Sequence, residues 1–149
     1  MTINLENTLE ILCPTYNRAP FLKNTLEQLF APNSPVKNCH MTFLDNASTD
    51  DTPRLLAQYA AQHPNIRIIR HNRNIGGDAN IARAFEEVTY PRYWIVCDDD
   101  DFHWEHWTEV QKALEKDIDL IITTTQIFSP QVQKAHLPLI LTFVPAGIH

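Results

Sequence analysis

Tyr93-Trp94-Ile95-Val96-Cys97-Asp98-Asp99-Asp100-Asp101 sets an apolar run directly before four consecutive aspartates. The first five residues read as a buried strand, and the aspartates as what that strand delivers at its carboxyl end. Adjacent carboxylates repel, so at least one pKa must rise unless a cation or solvent relieves the charge. Hard divalent cations are the usual relief, because they prefer oxygen ligands. The competing reading is a solvated acidic loop that leads into the next helix. In an extended segment, alternation would turn Asp98 and Asp100 one way and Asp99 and Asp101 the other. One pair would then face a cleft, and the other would stay solvated or cap the following helix.

Strand-like and helix-like segments alternate on either side of this run. Leu9 to Cys13 is a strand that stops at Pro14, and Pro20 opens a helix with Leu22, Leu26, Leu29 and Phe30 at helical spacing. Met41 to Leu44 is a second strand. Ser48-Thr49-Asp50-Asp51-Thr52-Pro53 is a dense helix start, followed by the stripe Leu56, Tyr59 and Ala60. Ile66 to Ile69 is a third strand. Beyond Gly76-Gly77 a helix carries Ile81, Phe85 and Val88 as its apolar stripe. After the aspartates, Trp107, Val110 and Leu114 mark a fourth helix, and Ile118 to Thr123 a fifth strand rich in β-branched residues. The pattern predicts a largely parallel sheet covered on both faces, with ligands beyond the carboxyl ends of its strands.

That edge is where the polar residues fall. The first four strands end in Pro14-Thr15-Tyr16-Asn17-Arg18, in Asp45-Asn46-Ala47-Ser48, in His71-Asn72-Arg73-Asn74 before Gly76-Gly77, and in the aspartates. Asp45 reads either as an Asx-turn or cap for the next helix, or as an acceptor for the N–H groups of a nucleobase. Two of the chain's three glycines stand together at Gly76-Gly77, which favours a backbone requirement or a close approach to a ligand at the helix N-terminus. His103 and His106, three apart, read as surface residues or as a ligand pair. Cys13 and Cys97 read as core thiols.

Composition narrows the classes. The chain has 149 residues, the length of one domain, and a net charge of −6, which argues against a nucleic-acid surface. Its three cysteines lack metal or disulfide spacing and fit a reducing compartment. Met1 to Thr8 has no basic region before an apolar stretch, and Leu137 to Val144, broken by Pro138, is too short to span a bilayer. A cytoplasmic protein is expected, peripheral at most to the inner face of a membrane.

The four strand-end segments, in this order, resemble the family 2 glycosyltransferases with the GT-A fold. The matching residues are Cys13 to Arg18, Asp45 to Thr52, Asn72 to Gly77 with Asn80, and Asp98 to Asp101. The resemblance implies a Rossmann-like three-layer α/β/α core over residues 1–125, short relative to the family, and an atypical tail over 126–149. It implies that Pro14, Thr15, Tyr16 and Asn17 line a nucleoside pocket and that Asp45 meets the base, most often uracil. Asn74, Gly76, Gly77 and Asn80 would close over the nucleotide. Asp98 and Asp99 would lie toward the nucleotide sugar. Asp100 with Asp98, or Asp101 in a shifted register, would form a DxD site for Mg²⁺ or Mn²⁺. The implied reaction moves a sugar from a UDP-sugar or similar nucleoside diphosphate sugar to a hydroxyl of a glycan or lipid-linked acceptor, in cell-envelope or polysaccharide synthesis. The alternative is a non-catalytic nucleotide-sugar-binding or assembly module, because no general base matches. The apolar tail would pack on the core or join two copies of the chain. A nucleotidyltransferase ranks last, since Pro14 to Pro20 supplies no basic glycine-rich loop.

Overall fold

The computed structural model describes residues 3–116, together with the backbone of two strands over 120–129 and 132–142. Strands β1 (Leu9–Thr15), β2 (His40–Asp45), β3 (Ile66–Arg70) and β4 (Arg92–Ile95) form one sheet in the order β3-β2-β1-β4. All three neighbouring pairs are parallel, with Thr15 opposite Asp45 and Leu12 opposite Ile95.

Crossovers in such sheets are right-handed. The chain therefore lays α1 (Ala19–Leu29) and α2 (Thr52–Gln62) on one face while it moves outward from β1 to β3. It then crosses back to β4 on the other side of β1, which puts α3 (Gly77–Glu86) on the opposite face. The core divides accordingly. Leu22, Leu26, Leu29 and Leu56 pack with Ile11, Cys13, Met41 and Phe43, and this cluster continues to Trp94, Trp107 and Leu114, the last two on α4 (Trp107–Leu114). On the other face Ala84 meets Leu12, Leu44 and Tyr93. Burying a leucine side chain stabilises by about 1.5–3 kcal/mol, so the first face holds most of the fold together.

Two elements differ from expectation. Of the stripe Ile81, Phe85 and Val88, only Val88, just past the end of α3, packs on the core: Ile81 and Phe85 are 44% and 45% exposed, and the helix seats Asn80 and Ala84 instead. Ala84 lets the backbone come close to the sheet, while the Asn80 amide donates to the Leu44 carbonyl at 3.0 Å. The fifth strand, β5 (Leu120–Ser129), stays out of the parallel sheet and pairs antiparallel with β6 (Val132–Thr142). The first two residues of the strand expected there, Ile118 and Asp119, lie outside the described residues. So do the side chains over 120–142 and all of 143–149, on which the tail's packing or association would depend.

Candidate active site

Strand β1 is where the sheet's winding reverses, and its carboxyl end is the natural crevice of an open α/β sheet. There the Thr15 hydroxyl donates to Asp98 at 2.7 Å across the β1–β4 boundary. Asp98 is 9% exposed. The aspartates do not continue the strand. Asp98 and Asp99 lie in a turn, closed by a 3.4 Å bond from the Asp100 N–H to the Cys97 carbonyl. The alternating arrangement expected of an extended segment is therefore absent. The turn supplies every carboxylate with a donor: Asp98 with Thr15 and Arg18, Asp99 with the same Arg18, Asp100 with the Cys97 N–H at 2.8 Å, and Asp101 with Asn24 and Gln28 at 3.1 and 3.0 Å. Extended, they would stand as two like-charged pairs with fewer donors.

Helix α1 shapes that turn. The Thr25 hydroxyl donates to the Asp98 carbonyl at 3.0 Å, and the Gln28 amide oxygen accepts from the Phe102 N–H at 2.7 Å. Burial raises the Asp98 carboxyl above its ordinary range, Thr15 and Arg18 pull it back, and Asp99 pushes it up again. Burial likewise raises Asp100, opposed by the Cys97 N–H and reinforced by the three neighbouring aspartates. The Cys97 thiol is pushed up to about 11 by enclosure of its sulfur and by the same carboxylates. Cys13 is buried as expected, but Cys97 stands past the end of β4 and is exposed.

Ligand atoms of Cys97, Asp99 and Asp100 come within 4.8 Å of one another, and no histidine joins that group among the described residues. Hard divalent ions prefer oxygen to sulfur, so the carboxylate oxygens of Asp99 and Asp100 are the ready ligands. Carboxylates whose pKa values are raised by burial and mutual repulsion fit a hard divalent ion. Asp101 is tied instead to Asn24 and Gln28 on α1. His103 bonds Glu105 at 3.1 Å, and both His103 and His106 are exposed.

At the end of β2, Asp45 is 1% exposed and both its oxygens are taken. One accepts the Ser48 N–H at 2.9 Å, and the other pairs with Arg70. This is the turn-forming role of an aspartate at a strand end. Within that turn Ala47 stands at φ 62°, a left-handed conformation that a β-carbon disfavours. Asn17 sits opposite at φ 51°, and its side-chain oxygen accepts the N–H groups of Thr49 and Asp50 at 2.7 and 3.3 Å.

Asn46 fastens the third loop. Its amide donates to Asn74 and to the Gly76 carbonyl at 3.0 and 3.2 Å, and its oxygen accepts the Ile75 N–H at 2.9 Å. Gly76, at φ 93°, supplies the backbone conformation that this loop requires. Gly77 has open space where a β-carbon would stand.

Together these loops line an open hollow of about 200 Å³. Of the residues singled out from the sequence, Pro14, Thr15, Tyr16, Gly77, Asn80 and Asp98 line it. Asn17, Asp45, Asn74, Gly76, Asp99 and Asp100 are not among the residues that line it. Arg18, Asn46 and Ile81 also line the cavity. Sequence reasoning misses their part in it: Arg18 and Asn46 sit inside the strand-end segments without a role of their own, and Ile81 reads as a core position.

The family model described as glycosyl transferase family 2 matches residues 10–143. The chain belongs to this family. It is 31% identical over 127 residues to the Mycobacterium tuberculosis protein Rv1520, a match covering 82% of this chain and 34% of that one. The Pyrobaculum calidifontis mannosyltransferase PcManGT, solved with GDP-Man and Mn²⁺, aligns with TM-score 0.62 at 22% identity, over 73% of this chain and 32% of its own. S. aureus TarS 1-349 with UDP-GlcNAc aligns with TM-score 0.62 at 20% identity, over 72% and 31%. The fold is thus that of the GT-A glycosyltransferases, and the family 2 chain spans about a third of the length of the relatives it matches. Among its described residues no helix is long and apolar enough to cross a membrane.

Proposed function

We propose that this chain is the donor-binding part of a glycosyltransferase that moves a sugar from a metal-bound nucleoside diphosphate sugar, of the UDP type, to an acceptor hydroxyl. The observation that carries this reading is Asp98, held by Thr15 in the cavity wall at the sheet's switch point, with Asp99 and Asp100 beside it. Family membership supports it, as do the nucleotide sugars bound by PcManGT and TarS.

In this reading Pro14 and Tyr16 form the wall for the base, and Asn46 holds the loop whose Gly77 faces the cavity. Asp45, at the end of β2, would meet the base, exchanging the Arg70 pair for the base's N–H groups. Asp98 and Asp100, the pair the resemblance implies, would hold a divalent ion, Mg²⁺ or Mn²⁺, with Asp99, whose oxygens converge with those of Asp100, as a further ligand. When bound, the ion neutralises charge on the departing diphosphate. The acceptor in this reading is a hydroxyl of a glycan or of a lipid-linked chain.

Titration calorimetry with UDP and GDP, each with and without Mn²⁺, tests the reading. Binding of at least one nucleotide that strengthens with Mn²⁺ is expected. No binding of either nucleotide under any of these conditions overturns it.

A further inference from the structure

Among the described residues that line the cavity, Arg18 is the one cation and Asp98 the one carboxylate. The Arg18 Nε–H donates to Asp98 at 3.3 Å, and a terminal nitrogen pairs with Asp99. The side chain is thus shared between two members of the aspartate turn. Its backbone is fixed: the N–H donates to the Thr52 hydroxyl at 3.2 Å, and the carbonyl accepts the Leu22 N–H at 2.8 Å. Its far end is not. The side chain is 36% exposed, and its guanidinium lies 4.2 Å over the half-exposed ring of Phe21.

Resting on the donor-binding role proposed above, we propose that Arg18 is a built-in counter-cation. It competes with the divalent ion for Asp98 and Asp99, and it transfers to the diphosphate when the donor arrives. Three features make this exchange easy. The Arg18 end of both pairs is 36% exposed, and its pair with the exposed Asp99 is of the weakly held surface kind. Asp98 keeps its bond from Thr15 when the arginine leaves. The planar guanidinium matches phosphate oxygens as well as it matches carboxylates, and it stacks over the Phe21 face in either role.

The consequence is coupling. Metal alone must displace an internal cation, whereas metal arriving with a diphosphate finds that cation already drawn off. Arg18 thereby disfavours an ion without a donor and makes the two bind cooperatively.

Titrating Mn²⁺ into the protein, with free Mn²⁺ followed by electron paramagnetic resonance, tests this directly. The titration is run with and without UDP, and again with GDP, in the natural chain, in Arg18→Gln and in Arg18→Lys. Without nucleotide, Arg18→Gln is expected to bind Mn²⁺ roughly three- to five-fold more tightly, the scale of an exposed ion pair. The nucleotide should then enhance Mn²⁺ binding less than it does in the natural chain. Arg18→Lys keeps the charge but loses the fork and should fall between the two. Unchanged or weaker Mn²⁺ binding by a folded Arg18→Gln, with nucleotide binding intact in the natural chain, overturns the role of Arg18 alone. If Arg18→Gln does not fold, Arg18→Lys decides: Mn²⁺ affinity and nucleotide enhancement both equal to those of the natural chain overturn the role. Failure of the natural chain to bind either nucleotide overturns the donor-binding role and this one with it.

Discussion

Asp45 and Asp98 close neighbouring stretches of the same sheet edge, and each meets an arginine. The resulting pairs differ in what they leave open. Asp45 is 1% exposed, spends both oxygens inside the protein and does not line the cavity. Asp98 lines the cavity, keeps one oxygen for Thr15 and shares the other with an arginine that also serves Asp99. A carboxylate with fixed partners on every side makes a turn. A carboxylate whose cation is loosely held is available to a ligand.

Substitution at both positions puts this contrast to the test. Asp45→Ala strands the buried Ser48 N–H and releases Arg70, and should cost about 2–3 kcal/mol in urea unfolding. Asp98→Asn keeps an acceptor for Thr15 and should shift stability by about 0.5 kcal/mol or less. Equal costs would erase the distinction between the two pairs.

Next in size is the response to metal. Mn²⁺ should raise the melting temperature of the natural chain by a few degrees, and Asp98→Asn or Asp100→Asn should lose that gain. The pH dependence follows from Asp98 and Asp100, whose carboxyls are raised in the folded state. Such groups favour the fold while protonated, below their ordinary range, and that contribution is lost as pH rises through their raised values. The ion takes over at neutral pH and must displace protons at lower pH. Its effect on melting should therefore be larger at about pH 7.5 than at about pH 5. A pH-independent shift would put the ion elsewhere. The smallest expected effect is at Ala47, where glycine relieves the left-handed backbone. Ala47→Gly should stabilise by about 0.5 kcal/mol, seen as a small rise in the urea midpoint.

The parallel sheet and its polar edge were legible because strand and helix periodicities alternate cleanly from Leu9 to Leu114. The turn at Asp98 was not, since its shape comes from Thr25, Gln28 and Asn24 on α1, which read in sequence as ordinary helix positions. Helix α3 inverted its apparent stripe because a buried amide, Asn80, had a carbonyl to satisfy at the end of β2. Periodicity counts apolar residues and is blind to such a partner. Asn46 looked like turn punctuation and proves to be the clamp on the Asn74–Gly76 loop. Arg18 looked like a helix entry because nothing local points from it to Asp99, 81 residues away.

The Thr15–Asp98 bond has a kinetic consequence. It joins groups 83 residues apart, and β4, which brings them together, is the last strand to enter the parallel sheet along the chain. Loop-closure entropy over that distance must be overcome before either group contributes to a site. A growing or partly refolded chain that has built β1, β2 and β3 therefore has the wall made by Pro14, Thr15, Tyr16 and Asn46 but not the carboxylate of Asp98. Nucleotide-dependent signals in refolding should rise with the final phase, making competence to bind a report on completed topology.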